Sequence, residues 1–170
     1  MINKNLTLQE PASACDSISS YISNLTWNWG LGNFFIQGIP NSFSTGYGYA
    51  QKLVESFVLQ LNATGQLNKK TPLFTIEIGA GTGVLSKHFL DKMFELHPSI
   101  YHRITHYITD LNQKNLEGIH KSEIMTAHHS KFKTTILDAT QPISLPVKFD
   151  FVIMVNLLDS LPTRHFYKKR

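Results

Sequence analysis

Leu73-Phe74-Thr75-Ile76-Glu77-Ile78-Gly79, continued by Ala80-Gly81-Thr82-Gly83, is the stretch that decides how this 170-residue chain folds. Residues 73–79 form a short run dominated by large apolar side chains, which reads as a buried strand. Gly79, Gly81 and Gly83 then let the backbone turn tightly into a helix. That helix places Leu85, Phe89, Met93 and Leu96 on one face and stops at Pro98.

Downstream, the same alternation repeats. Thr105–Thr109 reads as a second strand ending at Asp110, and a weaker helix covers Asn112 to about Met125. Residues 133–138 read as a third strand. Residues 149–155 read as a fourth, an almost unbroken apolar run of the kind covered on both faces in a parallel sheet. Strands alternating with helices predict an α/β fold: a Rossmann-like parallel sheet of about four strands with flanking helices.

Upstream, Ala14, Ile18, Tyr21, Ile22 and Leu25 recur at helical spacing, followed by a loop rich in glycine and aromatics (Trp27, Trp29, Phe34, Phe35). A helix from about Ser44 to Leu61, capped by Ser44 or Thr45 and closed by Gly65, carries Ala50, Leu53, Val54, Phe57, Val58 and Leu61 on its face. The expected organisation is therefore an N-terminal helical extension over 1–70, packing on the core, and a nucleotide-binding unit over 71–170.

The glycine turn selects among ligands by spacing and charge. A dinucleotide fingerprint places its third glycine three residues after the second, at position 84, where this chain has Val84. The spacing here is G-x-G-x-G, and Glu77 precedes it by two residues. A carboxylate there is poorly placed beside a pyrophosphate and well placed for a ligand carrying an ammonium group. The methionine arm of S-adenosylmethionine (SAM) is such a ligand, and the pattern favours it over NAD. The other strand ends agree. Asp110 faces the crevice outside the sheet and can accept ribose hydroxyls, although it can also cap the following helix. Asp138 and Ala139 are placed to meet an adenine, and a turn-forming role for Asp138 stands equally beside that. Asn156 and Asp159, after the fourth strand, lie where a methyl donor would point and are candidate catalytic residues, with turn or cap roles as the alternative.

On these four strand ends, over roughly residues 70–162, the chain resembles the Rossmann-fold (class I) SAM-dependent methyltransferases. The resemblance implies that Glu77, Gly79, Ala80, Gly81 and Gly83 hold the methionine moiety, that Asp110 and the adjacent Leu111 take the ribose, that Asp138 and Ala139 take the adenine, and that Asn156 lines the donor site. The Ser44–Leu61 helix and Leu157-Leu158-Asp159-Ser160-Leu161-Pro162 further resemble the MidA-like methyltransferases, whose mitochondrial members modify a protein arginine. That family has an Asn-Glu pair where this chain has Val155-Asn156. The family sheet has seven strands, so four strands imply a fragment whose substrate residues lie elsewhere. The fourth strand would then be an apolar edge, open to dimerisation. A non-catalytic SAM-binding or assembly module is the alternative, and an NAD-dependent protein a more distant one. The acceptor, whether protein, small molecule or RNA, is not written in these residues.

Composition narrows the setting. No apolar stretch is long enough to span a membrane, and the first residues lack a secretory signal. A single cysteine, Cys15, cannot form an internal disulfide, and the expected setting is cytoplasmic. The formal net charge of +4 is scattered, except for Lys168-Lys169-Arg170, read as a solvated tail. Eight histidines invite a metal. Yet His102 and His106 fall on a loop-strand segment, and His128-His129, as neighbours on a strand, would point to opposite faces, so no metal site is expected. The Trp27–Phe35 cluster is read as core packing.

Overall fold

A computed structural model describes Tyr21, residues 45–145 and 147–158, and Leu161. The helix expected from Ala14 (Tyr21 apart), the Trp27–Phe35 cluster, Cys15, Asp159 and the basic end at 168–170 lie outside the described residues.

Helix α1 (Tyr47–Ala63) leads into strand β1 (Leu73–Ile78), helix α2 (Val84–Leu96) and a single turn α3 (Pro98–Tyr101). Strand β2 (Ile104–Asp110), helix α4 (Gln113–Lys121), a 3-10 turn (Thr126–His128), β3 (Phe132–Ile136) and β4 (Phe151–Met154) follow. The strands pair in parallel in the order β3-β2-β1-β4. The four-strand α/β expectation holds. Because β2 lies on one side of β1 and β4 on the other, the sheet changes direction between β1 and β4, where open α/β sheets form their ligand crevice.

The pleat divides β1 between two cores. Leu73 joins Ile104, Ile108 and Ile153 in a cluster with Val54, Phe57 and Leu61 of α1 and Leu85, Phe89 and Met93 of α2. Phe74, Ile76 and Ile78 join Tyr107 on the opposite face, under the loop carrying Leu137, Ala139, Leu145, Val147 and Phe149. The rings of Phe57 and Phe151 lie 5.0 Å apart and tie α1 to β4. Asp150 reinforces that corner. Its Oδ2 accepts from Phe74 N, its N–H donates to Phe74 O, and its carbonyl accepts from Gln60 Nε2. So α1 shares its buried residues with the sheet. On the β4 edge, Val152 and Met154 are exposed.

Several expected details change. Helix α1 starts at Tyr47 with Gly46 at the N-cap and no side-chain cap, rather than at Ser44 or Thr45, and ends before Gly65 in the left-handed region. Strand β3 ends at Ile136, two residues before Asp138. Its half-exposed pattern explains this, because an outer strand carries little apolar signal with which to mark its end. Helix α4 is shorter than expected, and Pro98 opens the short turn α3 as it closes α2. His128 and His129 occupy the 3-10 turn and its end, not a strand.

Candidate functional site

The turn after β1 is held from below by β2. Gly79 N and Ala80 N both donate to Thr109 O at 2.9 Å, and Gly81 N donates to Asp110 Oδ2 at 2.9 Å. Gly83 N donates back to Ala80 O at 3.0 Å. Four of the turn's amides are thus used within the protein. A pyrophosphate cradle needs such amides free, so the geometry disfavours a dinucleotide on physical grounds beyond the missing glycine at position 84.

Two glycines are required by what presses on them. A Cβ on Gly79 would lie 2.8 Å from Leu157 Cδ1, so the loop after β4 packs directly on the turn. A Cβ on Gly83 would lie 2.8 and 2.9 Å from Ile119 Cδ1 and Cγ1, where α4 meets the start of α2. Both residues have a φ of 73°, a conformation that costs an L side chain free energy.

Asp110 is 9% exposed and already engaged. Besides Gly81 N, it accepts from Asn112 N at 2.8 Å and from Asn115 Nδ2 at 3.0 Å, both on Oδ1. Asn112 in turn caps α4 by accepting from Lys114 N. A carboxylate has about four acceptor sites, so Asp110 keeps room for one hydroxyl rather than two. Leu111, next to it, is exposed at the rim.

Glu77 lies beneath the turn and is buried. Ser86 Oγ donates to its Oε2, and the Ser86 backbone N–H also bonds to the carboxyl. Ser86 is the third residue of α2, a helix whose N-cap, Gly83, offers no side chain and whose first turn has no acidic residue. Glu77 therefore supplies from the strand the cap that the helix lacks. Burial pushes its carboxyl up to about 7, against the pull of the Ser86 bonds and with a further push from Asp110.

Asp138 is half-buried beyond the end of β3 and forms a local turn, accepting from Thr140 N at 2.8 Å and Thr140 Oγ1 at 2.6 Å. These bonds hold its carboxyl below the usual range. Ala139 beside it packs into the second core. Asn156, in the left-handed region, is exposed after β4. The strand order brings the ends carrying Asp138, Asp110 and Glu77 into one row, spanning two strand spacings or about 10 Å. Asn156 follows the strand on the far side of β1.

Sequence reasoning missed the side chains behind Glu77. His106, set aside as a metal candidate, is fully buried between Thr75 and Ser86. The available signal was periodicity: Thr75 and Glu77 share a face of β1 with Leu73, and His106 shares a face of β2 with Ile104 and Ile108. A surface cavity of about 200 Å³ lies elsewhere, between α4 and β3, lined by Ile119, His120, Glu123 and Phe132 among others. Ile119 is shared by that cavity and by the contact with Gly83. Among the described residues no helix is long and apolar enough to cross a membrane.

Residues 53–170 match the sequence profile of a family described as S-adenosyl-L-methionine-dependent methyltransferases. Among solved structures, the fold is similar to the crystal structure of the DszA carbon methyltransferase, with a TM-score of 0.51 at 18% identity over 86% of this chain and 41% of that one. It also matches a COG1565 superfamily member from Burkholderia thailandensis bound to S-adenosyl-homocysteine, with a TM-score of 0.41 at 14% identity over 76% of this chain and 40% of that one. The chain thus spans about two fifths of the length of these structures. No curated protein matches the sequence.

Proposed function

The chain belongs to the S-adenosyl-L-methionine-dependent methyltransferase family, and from that premise we propose that its row of strand ends binds SAM for transfer of the methyl group to an acceptor. In this reading the turn Gly79–Gly83 and Glu77 receive the methionine arm. Asp110 accepts one ribose hydroxyl beside Leu111. Asp138 and Ala139 meet the adenine, and Asn156 borders the sulfonium. The observation that carries the reading is Glu77: a carboxylate that burial makes unfavourable as an anion, behind a turn whose amides are largely spent. Such a site rewards a cation and offers little to a phosphate.

The reaction asks little acid–base chemistry of the protein. SAM, when bound, would supply an activated methyl group and would leave as S-adenosylhomocysteine, and any surplus proton of the acceptor would pass to a base or to water. The chain's share is to fix the donor and shield it. Gly79 allows Leu157 to close over the turn, and Asp110 locks the turn to β2 and α4. By resemblance to the MidA-like group, carried by Leu157-Leu158-Asp159-Ser160-Leu161-Pro162, a protein arginine is the acceptor class to assay first.

Isothermal titration with SAM, S-adenosylhomocysteine and NAD tests the cofactor. Binding of the first two, and its loss in a folded Gly81→Val variant, is expected because Gly81 adopts a φ of 57°. Binding of NAD alone would overturn the reading.

A further inference from the structure

Four buried polar side chains run in a line beneath the glycine turn. Thr75 Oγ1 lies 2.7 Å from His106 Nδ1, and His106 Nε2 lies 2.8 Å from Ser86 Oγ. Ser86 then donates to Glu77 Oε2. Thr75, Ser86 and His106 are wholly inaccessible. Burial drives the imidazole down to about 3, so it is neutral and carries one proton.

Proton counting makes the chain directional. When Glu77 is ionised, the Ser86 proton is committed to the carboxylate. Ser86 Oγ must then accept from His106 Nε2–H, and Nδ1 accepts the Thr75 hydroxyl proton. When Oε2 is protonated, every bond reverses. Glu77 donates to Ser86, Ser86 donates to Nε2, and Nδ1–H donates to Thr75. The charge on Glu77 and the tautomer of His106 are therefore tied together. Apolar side chains would fill this core more simply, and a fully satisfied polar network instead specifies one arrangement.

We infer that Ser86, His106 and Thr75 are positioning residues that act through Glu77, fixing its orientation and charge so that affinity for the amino-acid arm of the ligand rises as the carboxylate ionises. The inference rests on the SAM reading of the site. The titratable groups facing Glu77 are His106 and Asp110, both on β2. From α2 it meets Ser86, while the ionisable residues of that helix pair elsewhere: Lys87 with Asp91, Lys92 with Glu95, and His88 with Thr45 O. β4 sets Ile153 opposite Glu77, and α1 contributes the apolar Val54 and Phe57 to the same core.

The test is the dissociation constant of S-adenosylhomocysteine, measured by titration calorimetry on both sides of pH 7. For the unaltered chain, affinity weakens as pH falls through about 7. Ser86→Ala removes the donor that holds the anion, and the midpoint moves up by about one pH unit. His106→Leu moves it in the same direction, whereas His106→Gln, whose amide can still donate to Ser86, keeps it near the original. 5′-Methylthioadenosine lacks the amino-acid arm and binds all variants alike. The ligand's own amine titrates identically throughout and drops out of the comparison. A change in affinity by the same factor at every pH, with no movement of the midpoint, would mean a merely structural role and overturn the inference. Absence of S-adenosylhomocysteine binding by the unaltered chain at every pH would instead defeat the SAM reading itself. If His106→Leu does not fold, the near-isosteric Thr75→Val serves in its place. The imidazole ¹⁵N shifts of the unaltered chain give a second readout: Nε2–H above the midpoint and Nδ1–H below it. One tautomer throughout would overturn the coupling.

Discussion

Replacing Glu77 by Gln should make the protein's stability depend differently on pH, in a direction that the geometry dictates. In the unfolded chain the carboxyl has its ordinary value of 4.5, and in the folded protein burial raises it to about 7. Between those values the folded state holds a proton that the unfolded state has lost. Stability therefore falls as pH rises through this window, and the whole penalty is present above the folded value. A displacement from 4.5 to about 7 corresponds to about 3 kcal/mol. His106 works in the opposite sense. Its folded value of about 3 lies below the ordinary 6.5, so its contribution is lost as pH falls below 6.5. The two slopes oppose each other between 4.5 and 6.5, and the unaltered chain should show a shallow profile there. Above that range only the Glu77 slope remains. Urea denaturation followed by far-ultraviolet circular dichroism, run in parallel on both proteins, isolates the carboxylate. The stability of the original relative to Glu77→Gln should fall by about 3 kcal/mol between pH 4.5 and 8. Parallel profiles would refute the argument, because they would mean that Glu77 titrates in the folded state as it does in the unfolded one.

Gly83→Ala should cost about 1–3 kcal/mol, seen as a lower urea midpoint; adding Ile119→Val should recover the part due to the contact with Ile119 but not the part due to the positive φ. Asp110→Asn replaces one of the two accepting oxygens by an NH₂ donor, which then faces either Gly81 N or the pair Asn112 N and Asn115 Nδ2, and should cost about 2–4 kcal/mol, lowering the melting temperature by roughly 5–10 °C. Asp138→Ala touches only a local turn with Thr140, so it should leave the melting temperature unchanged while weakening S-adenosylhomocysteine binding several-fold in calorimetry; unaltered affinity would remove Asp138 from the adenine site.

The strands that were easiest to read were the apolar ones. β1 is an apolar run because neighbours cover both its faces, whereas β4 is as apolar in sequence although Val152 and Met154 are exposed; the glycine turn announces itself because Gly79 and Gly83 both take a φ of 73° with Leu157 and Ile119 packed against them. β3 was harder. It is an outer strand, Phe132–Ile136, with a half-exposed pattern, and the apolar Leu137 that seemed to extend it belongs to the loop over the second core. The start of α1 was misplaced because Ser44 and Thr45 look like caps, whereas Gly46 holds that position. The polar network was hidden for another reason. A histidine in a strand looks the same in sequence whether it faces water or a serine from a distant helix, and the contact between His106 and Ser86 joins residues 20 apart in the chain. Glu77 was recognised for its charge, but its second task, capping α2, depends on a fold that no local pattern specifies.

That second task bears on the order in which the chain assembles. α2 begins with Val84, Leu85 and Ser86, with neither a capping side chain nor an acidic first turn, so by itself it lacks the usual signals that start a helix. Its missing partner arrives only when β1 is already alongside. The first turn of α2 and the end of β1 should therefore form as one kinetic unit rather than one after the other. Stopped-flow measurements on Ser86→Ala and on a destabilising substitution in β1 such as Ile76→Val should give φ-values that agree. Values that differ clearly, so that the contacts of one element are formed in the transition state while those of the other are not, would refute this.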